Sequence, residues 1–254
     1  MGRLEGEHVF ITGGSRGIGA AVAEKALHEG ARVSIIDIDA AAGAAFVAGL
    51  AAPDRAFFTH GDVRSADDIV EVTTAAAAQL GPITGLVNNA GRNAYYDPVK
   101  MTEAEWDDVF GVDLKSAWLC ARAVLPSMLA ARHGAIVNIA SVHADHTFAG
   151  YFPYAAAKSG LVGLTRSLAL EVGPSQVRVN ALSPGWTETA LVADYLSRQP
   201  PETRQKVLDT HPMGRIATPA EIANCVVFLL SDEASFVTGA NWRVDGGLGA
   251  RFAG

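Results

Sequence analysis

Residues 8–19 read "HVFITGGSRGIG". The run His8–Thr12 is rich in β-branched and aromatic side chains and stops abruptly at glycine, as a short buried strand does. Beyond the turn, residues 17–29 read "GIGAAVAEKALHE", a helical pattern. Strand, glycine turn and helix in this order make a cradle for a phosphate-bearing ligand. Gly13 permits the tight turn, Gly17 lets the backbone approach the ligand closely, and Gly19 lets the helix seat against the sheet. The helix N-terminus then offers free N–H groups and partial positive charge to a pyrophosphate. Ser15, Arg16 and Ile18 share this turn and are candidate contacts with it.

The same alternation continues outward. "RVSII" (32–36), "RAFFT" (55–59), "TGLVN" (84–88), "AIVNIA" (135–140), "VRVNALS" (177–183) and "WRV" (242–244) read as strands. Helical patterns lie near 17–29, 39–51, 65–80, 102–131, 153–173 and 219–230. Near-continuous apolar strands joined by helical crossovers predict an α/β fold: a doubly wound parallel sheet of about seven strands, of Rossmann type, with helices on both faces. Thr102 and Glu105 have the spacing of a capping box. No linker or repeat divides residues 1–254, so one domain is expected. The segment near 186–213, with "QPPE" in it, departs from the alternation and reads as a lid over the site.

Composition narrows the function. Hydrophobic residues are 49% of the chain and charged residues 19%, ample for a core. A formal charge of −7 argues against a nucleic-acid surface. No apolar run approaches the roughly 20 residues of a membrane helix, so no membrane partner is expected. The two cysteines, Cys120 and Cys225, sit in apolar segments, which suits a reducing cytoplasm better than a disulfide. No cluster of His, Cys, Asp or Glu has metal-ligand spacing, and no metal is expected.

Asp37 ends the second predicted strand, 18 residues past Gly19. A carboxylate there can accept hydrogen bonds from adenosine ribose hydroxyls and repels a 2′-phosphate, whereas Arg16 could face one. Asp37 would lie nearest the hydroxyl in question, so NAD is expected over NADP. A helix-capping role for Asp37 is the alternative. The spacing Thr12-Gly13-x-x-x-Gly17-x-Gly19 resembles the signature of the short-chain dehydrogenase/reductase family. The resemblance implies further cofactor contacts: Asp62 with the adenine amino group, the Val63 backbone beside it, and Asn89, Ala90 and Gly91 of "NNAG" walling the adenosine side.

Tyr154 and Lys158, four apart in "YAAAK", fall on one face of a predicted helix. An ammonium beside a phenol stabilises the phenolate, which would make Tyr154 a usable acid/base. Ser141 lies 13 residues earlier, just past a strand, where its hydroxyl can steady a substrate oxygen. This Ser–Tyr–Lys arrangement also resembles the family, which implies that Lys158 binds the nicotinamide ribose as well. The family's Pro-Gly turn corresponds to Pro184 and Gly185, and its nicotinamide carboxamide contacts to Thr187 and Thr189. The resemblance covers essentially the whole chain and implies a homotetramer.

One position departs from the family. Where its catalytic set has an asparagine in the central helix, this chain has Asp113. The asparagine's role is to bend the helix and hold a water in a proton relay. Asp113 could hold the same water while adding negative charge near Lys158 and Tyr154, so an alkaline-shifted pH optimum is expected; the alternative is that Asp113 binds Lys158 or caps a local kink with little kinetic effect. Around the open end of the cleft, Arg92, Asn93, His143, Tyr151, Phe152 and Trp186 are the substrate candidates, beside Ser141 and Tyr154. That mixture of hydrogen-bonding groups and aromatic faces suits a sugar or polyol, and the wording around Tyr154 resembles bacterial sugar dehydrogenases of the family. The expectation is an NAD-dependent oxidoreductase acting on a secondary or hemiacetal hydroxyl of a small molecule. A 3-oxoacyl thioester reductase acting on acyl carrier protein and a steroid reductase are alternatives within the family. A non-catalytic dinucleotide-binding scaffold is the alternative outside catalysis.

Overall fold

The computed structural model describes residues 2–250. Seven parallel strands form one sheet: β1 (His8–Thr12), β2 (Arg32–Asp37), β3 (Ala56–His60), β4 (Gly85–Asn88), β5 (Gly134–Ile139), β6 (Val177–Pro184) and β7 (Asn241–Val244). Their spatial order is β3-β2-β1-β4-β5-β6-β7. The chain therefore works outward from β1 to β3, then jumps back to place β4 on the other side of β1. Side chains alternate across β1: Val9 and Ile11 face one core cluster and Phe10 the other.

Helices α1 (Gly17–His28) and α9 (Pro219–Leu230) pack together on one face, with α2 (Ala40–Ala48) beside β2 and β3. Helices α3 (Ala66–Leu80), α5 (Ser116–Ala131) and α6 (Tyr154–Val172) cover the other. The expected capping box closes α4 (Glu103–Phe110), with Thr102 Oγ1 accepting from the Glu105 N–H and Glu105 accepting from the Thr102 N–H. A second one, Thr218 with Glu221, starts α9. The lid segment holds two helices, α7 (Ala190–Ser197) and α8 (Pro201–Thr210). No helix among the described residues is long and apolar enough to cross a membrane.

One expectation needs correction. The helix read over 102–131 is not uniform, because Gly111–Lys115 forms a π-turn between α4 and α5. The widened turn puts Asp113, a charged residue, in the interior at 2% exposure. π-turns of this kind are costly and cluster at functional sites.

Candidate active site

A cleft of about 760 Å³ opens along the carboxyl ends of the strands and spans the junction of β1 and β4. In open parallel sheets this reversal point is where ligands bind. Gly13 (φ 61°) and Gly17 (φ 57°) both adopt left-handed backbone. A Cβ on Gly13 would come within 3.0 Å of the Ala90 Cα, so the glycine lets the β1 and β4 loops touch. No side chain caps α1 and no acid lies in its first turn, which leaves its N–H groups to an anion. The glycine turn thus fits a dinucleotide pyrophosphate. Gly17 and Ile18 line the cleft, while Ser15 and Gly19 sit one layer behind it. Asn89 holds the turn in place, its Nδ2 donating to the Thr12 and Gly13 carbonyls at 3.0 and 2.9 Å.

At the β2 end of the cleft, Asp37 accepts from the Ser15 N–H (3.2 Å), the Ser15 hydroxyl and the Asp39 N–H (3.1 Å). The helix-capping role weighed for Asp37 belongs to Asp39, which accepts from the Ala42 N–H at 2.9 Å and caps α2. Asp39 also binds the Arg16 guanidinium, which ties that arginine to an acid. Val63 lines the floor at 8% exposure. Asp62 is paired with Arg64, whose guanidinium holds its carboxyl below the usual carboxylate range. Arg64 also reaches Asp108 on α4, and Asp108 in turn binds Arg92. Asp108 thus joins the loop beyond β3 to the loop beyond β4. Nothing in the sequence marked Asp108 or Arg64, because an acid on a polar helix face and a basic loop residue carry no spacing signal.

Ser141, Tyr154, Lys158 and Asp113 all line the inner end of the cleft. The Ser141 Oγ accepts from the His143 N–H at 3.2 Å, which leaves its own hydrogen to donate to a ligand. Lys158 is buried at 4% exposure and donates to the Ile139 carbonyl at 3.1 Å. Its Nζ stands 5.6 Å from the Tyr154 ring centre and 3.3 Å from Asp113 Oδ1. Burial alone would weaken this ammonium, but Asp113 and Tyr154 outweigh it and raise its pKa. Asp113 also accepts from the Arg92 N–H at 3.2 Å, and its Oδ2 is buried with no partner among the described residues. Burial pushes the Asp113 carboxyl above the usual carboxylate range against the pull of Lys158. A Cβ on Gly91 would lie 2.8 Å from Asp113 Oδ1 and 3.2 Å from Lys158 Nζ, so only glycine fits beside the pair.

The expected substrate residues Arg92, Asn93, His143, Tyr151 and Trp186 border the same cleft. Phe152 does not; its ring lies nearest Trp106, at 6.0 Å, because the loop before α6 turns it outward. Tyr151 stacks on His143 at 3.9 Å, and Phe148 meets both edge-on. Burial pushes the His143 imidazole down to about 4, so it is neutral at pH 7. Beyond β6, Pro184, Gly185, Thr187 and Thr189 line the roof. Thr189 caps α7, accepting from the Val192 N–H at 3.3 Å, and its methyl carbon would be 3.2 Å from a Cβ on Gly17. The segment expected to be a lid therefore begins directly above the glycine turn, with Trp186 against Tyr195 of α7.

Fold and cleft together define a dinucleotide-dependent α/β oxidoreductase. A family profile described as enoyl-(acyl carrier protein) reductase matches residues 13–249. The chain is 41% identical to 2-(S)-hydroxypropyl-CoM dehydrogenase 3 of Xanthobacter autotrophicus, covering 98% of both chains. It is 39% identical to cis-4-hydroxycyclohexanecarboxylate dehydrogenase of Sinomonas cyclohexanicum, covering 98% of this chain and 100% of the relative. Among solved structures, levodione reductase superposes with a TM-score of 0.93 at 34% identity, covering 98% of this chain and 100% of that one. The chain belongs to the short-chain dehydrogenase/reductase family, whose members are enzymes using NAD or NADP on small molecules.

Proposed function

We propose that this enzyme is an NAD-dependent dehydrogenase that oxidises the secondary or hemiacetal hydroxyl of a small sugar- or polyol-like molecule. One observation carries the reading: a serine hydroxyl with its hydrogen free, a tyrosine, and a buried lysine meet at the inner end of a dinucleotide-shaped cleft. Both curated relatives are dehydrogenases named for substrates with a secondary hydroxyl, which supports this reaction type.

In the proposed reaction Ser141 donates to the substrate oxygen and holds the carbinol against Tyr154. Tyr154, as phenolate, takes the hydroxyl proton. A nicotinamide held beside Pro184, Gly185, Thr187 and Thr189 would supply the acceptor for the hydride of the carbinol carbon. Loss of that proton and hydride leaves the carbonyl product. The Lys158 charge attracts the negative charge on the tyrosine oxygen, and Asp113 holds Lys158 in place and gives the released proton a route outward, either on its own Oδ2 or through a water bound there.

Asp37 supports NAD over NADP, since its carboxylate ends β2 while Arg16 is bound to Asp39. Arg16, Arg64 and Arg92, around the cleft mouth, are each paired with an aspartate, which supports an uncharged substrate. Large apolar side chains exposed on α5 and α6, Trp118, Leu129 and Leu170, support a homotetrameric assembly. Free Cys120 and Cys225 are compatible with the cytoplasm. The test is to incubate the protein with NAD or NADP and a panel of sugars, polyols and hydroxyacyl compounds while following reduced cofactor. Turnover of polyols with NAD, lost in Tyr154→Phe with cofactor binding intact, is the expected result. Full activity in Tyr154→Phe rejects the assignment, and binding without any turnover favours a scaffold.

A further inference from the structure

We propose that His143 reads a second oxygen on the substrate, next to the carbinol presented to Tyr154, so that the preferred substrate is an uncharged vicinal diol or its α-hydroxy ketone. The proposal rests on the reading of Ser141 and Tyr154 given above and adds the substrate feature.

His143 handles the site twice. Its backbone N–H is spent on Ser141 Oγ, and both residues belong to one short turn, Ser141 followed by the 3-10 segment Val142–Ala144. The position of the imidazole relative to the Ser141 hydroxyl is therefore fixed by a single turn of backbone. The ring itself is immobilised on three sides. Tyr151 stacks on its face at 3.9 Å, Phe148 meets it edge-on at 4.9 Å, and Nδ1 bonds the Thr147 hydroxyl at 2.9 Å. Its centre is 5.8 Å from that of the Tyr154 ring, close enough for one small molecule to touch both.

What remains is Nε2. Among the described residues no protein group bonds it, and the residue borders the cleft while being only 8% exposed. The ring is neutral, so Nε2 offers one hydrogen-bonding function without a charge. Were the site merely an aromatic wall, a phenylalanine would serve. An imidazole nitrogen that a bound molecule covers is instead penalised whenever that molecule has nothing to offer it. Sites built to hydrogen-bond a substrate hydroxyl discriminate strongly against analogues lacking it. Since the nitrogen is neutral and the nearby arginines are paired, a hydroxyl or carbonyl oxygen matches it better than a carboxylate or sulfonate.

The test compares butan-2-ol with butane-2,3-diol, as a mixture of stereoisomers, using NAD and the full chain. Wild type, His143→Phe and His143→Gln are assayed, with circular dichroism melting to check folding. Wild type is expected to favour the diol by about tenfold or more in kcat/KM. His143→Phe should erase that preference, chiefly by raising KM for the diol, with a clearly smaller fall in kcat/KM for butan-2-ol. His143→Gln, which keeps a neutral donor and acceptor, should recover part of it. Equal use of both alcohols by wild type overturns the proposal, as does an equal loss on both alcohols in folded His143→Phe. Absence of turnover on either alcohol and on every other secondary alcohol overturns the underlying dehydrogenase reading, and the proposal with it.

Discussion

Asp113 Oδ1 lies 3.3 Å from Lys158 Nζ, with both side chains almost wholly shielded from solvent. The carboxylate stands between the lysine and the Arg92 N–H, and its second oxygen has no hydrogen-bond partner among the described residues. Breaking a buried pair by removing one charge is far more costly than losing a surface bridge. Asp113 is therefore a positioning residue whose charge the rest of the site feels.

Replacing Asp113 by Asn should keep the fold, since asparagine can still accept from the Arg92 N–H. It removes a negative charge that raises the proton affinity of Lys158 and opposes charge on Tyr154. The acidic limb of the kcat/KM profile should then move to lower pH. A profile superposing on the parent's would show that the charge at position 113 is kinetically silent.

Gly91→Ala probes the same pair from outside. The added methyl would press on Asp113 Oδ1 and Lys158 Nζ, so the pair must shift to make room for it. Overpacking of this kind costs about 1–3 kcal/mol. We expect kcat to fall by about tenfold or more, with a smaller loss of stability by urea unfolding. Unchanged kcat would mean that the pair can shift without consequence.

Cofactor preference should be held by two aspartates together. Asp37→Ala is expected to reduce the ratio of kcat/KM for NAD over NADP by about tenfold, through loss of the ribose hydrogen bonds and of repulsion toward a 2′-phosphate. Adding Asp39→Ala releases Arg16 and should narrow the ratio further. Measured affinities for both cofactors, by calorimetry, should follow the same order.

Two histidines should make stability sensitive to mild acid. His8 is fully buried, with Nδ1 on the Gly81 carbonyl at 2.7 Å and Nε2 on the Ser34 hydroxyl at 2.8 Å; burial lowers its pKa. His143 is lowered to about 4. Each is thus neutral when folded and protonated more readily when unfolded, so stability is flat above pH 6.5 and falls as pH drops toward the folded values. The His143 share between pH 6.5 and 5 is about 2 kcal/mol. Urea midpoints at pH 7.5 and 5 should show the loss, and His143→Phe should lessen it.

Local signals carried most of the fold. Strand β1 was legible to the residue, because a five-residue apolar run against glycine has few other conformations. The π-turn at Gly111–Lys115 was not legible in the apolar periodicity, and only the family resemblance pointed to a bend at position 113. Within the site, the same asymmetry holds. Ser141, Tyr154 and Lys158 are spaced along one strand-to-helix connection and so leave a trace in the sequence. Asp108 contacts Arg64 and Arg92 from separate loops, and such a meeting is written only in three dimensions. Phe152 was misjudged for a related reason: neighbours on a loop need not face the same way.

The walls of the cleft come from the ends of six different strands, β1 to β6, with the lid beginning beyond the last of them. Parallel pairings between such distant segments close large chain loops and form late in folding. The dinucleotide cleft is therefore assembled only when the sheet is nearly whole. A chain that has lost β6, or paired it wrongly, has a pyrophosphate turn without a nicotinamide roof. Ligand that binds the complete cleft draws on the free energy of the entire sheet, so cofactor should protect the molecule against proteolysis as a unit, not loop by loop.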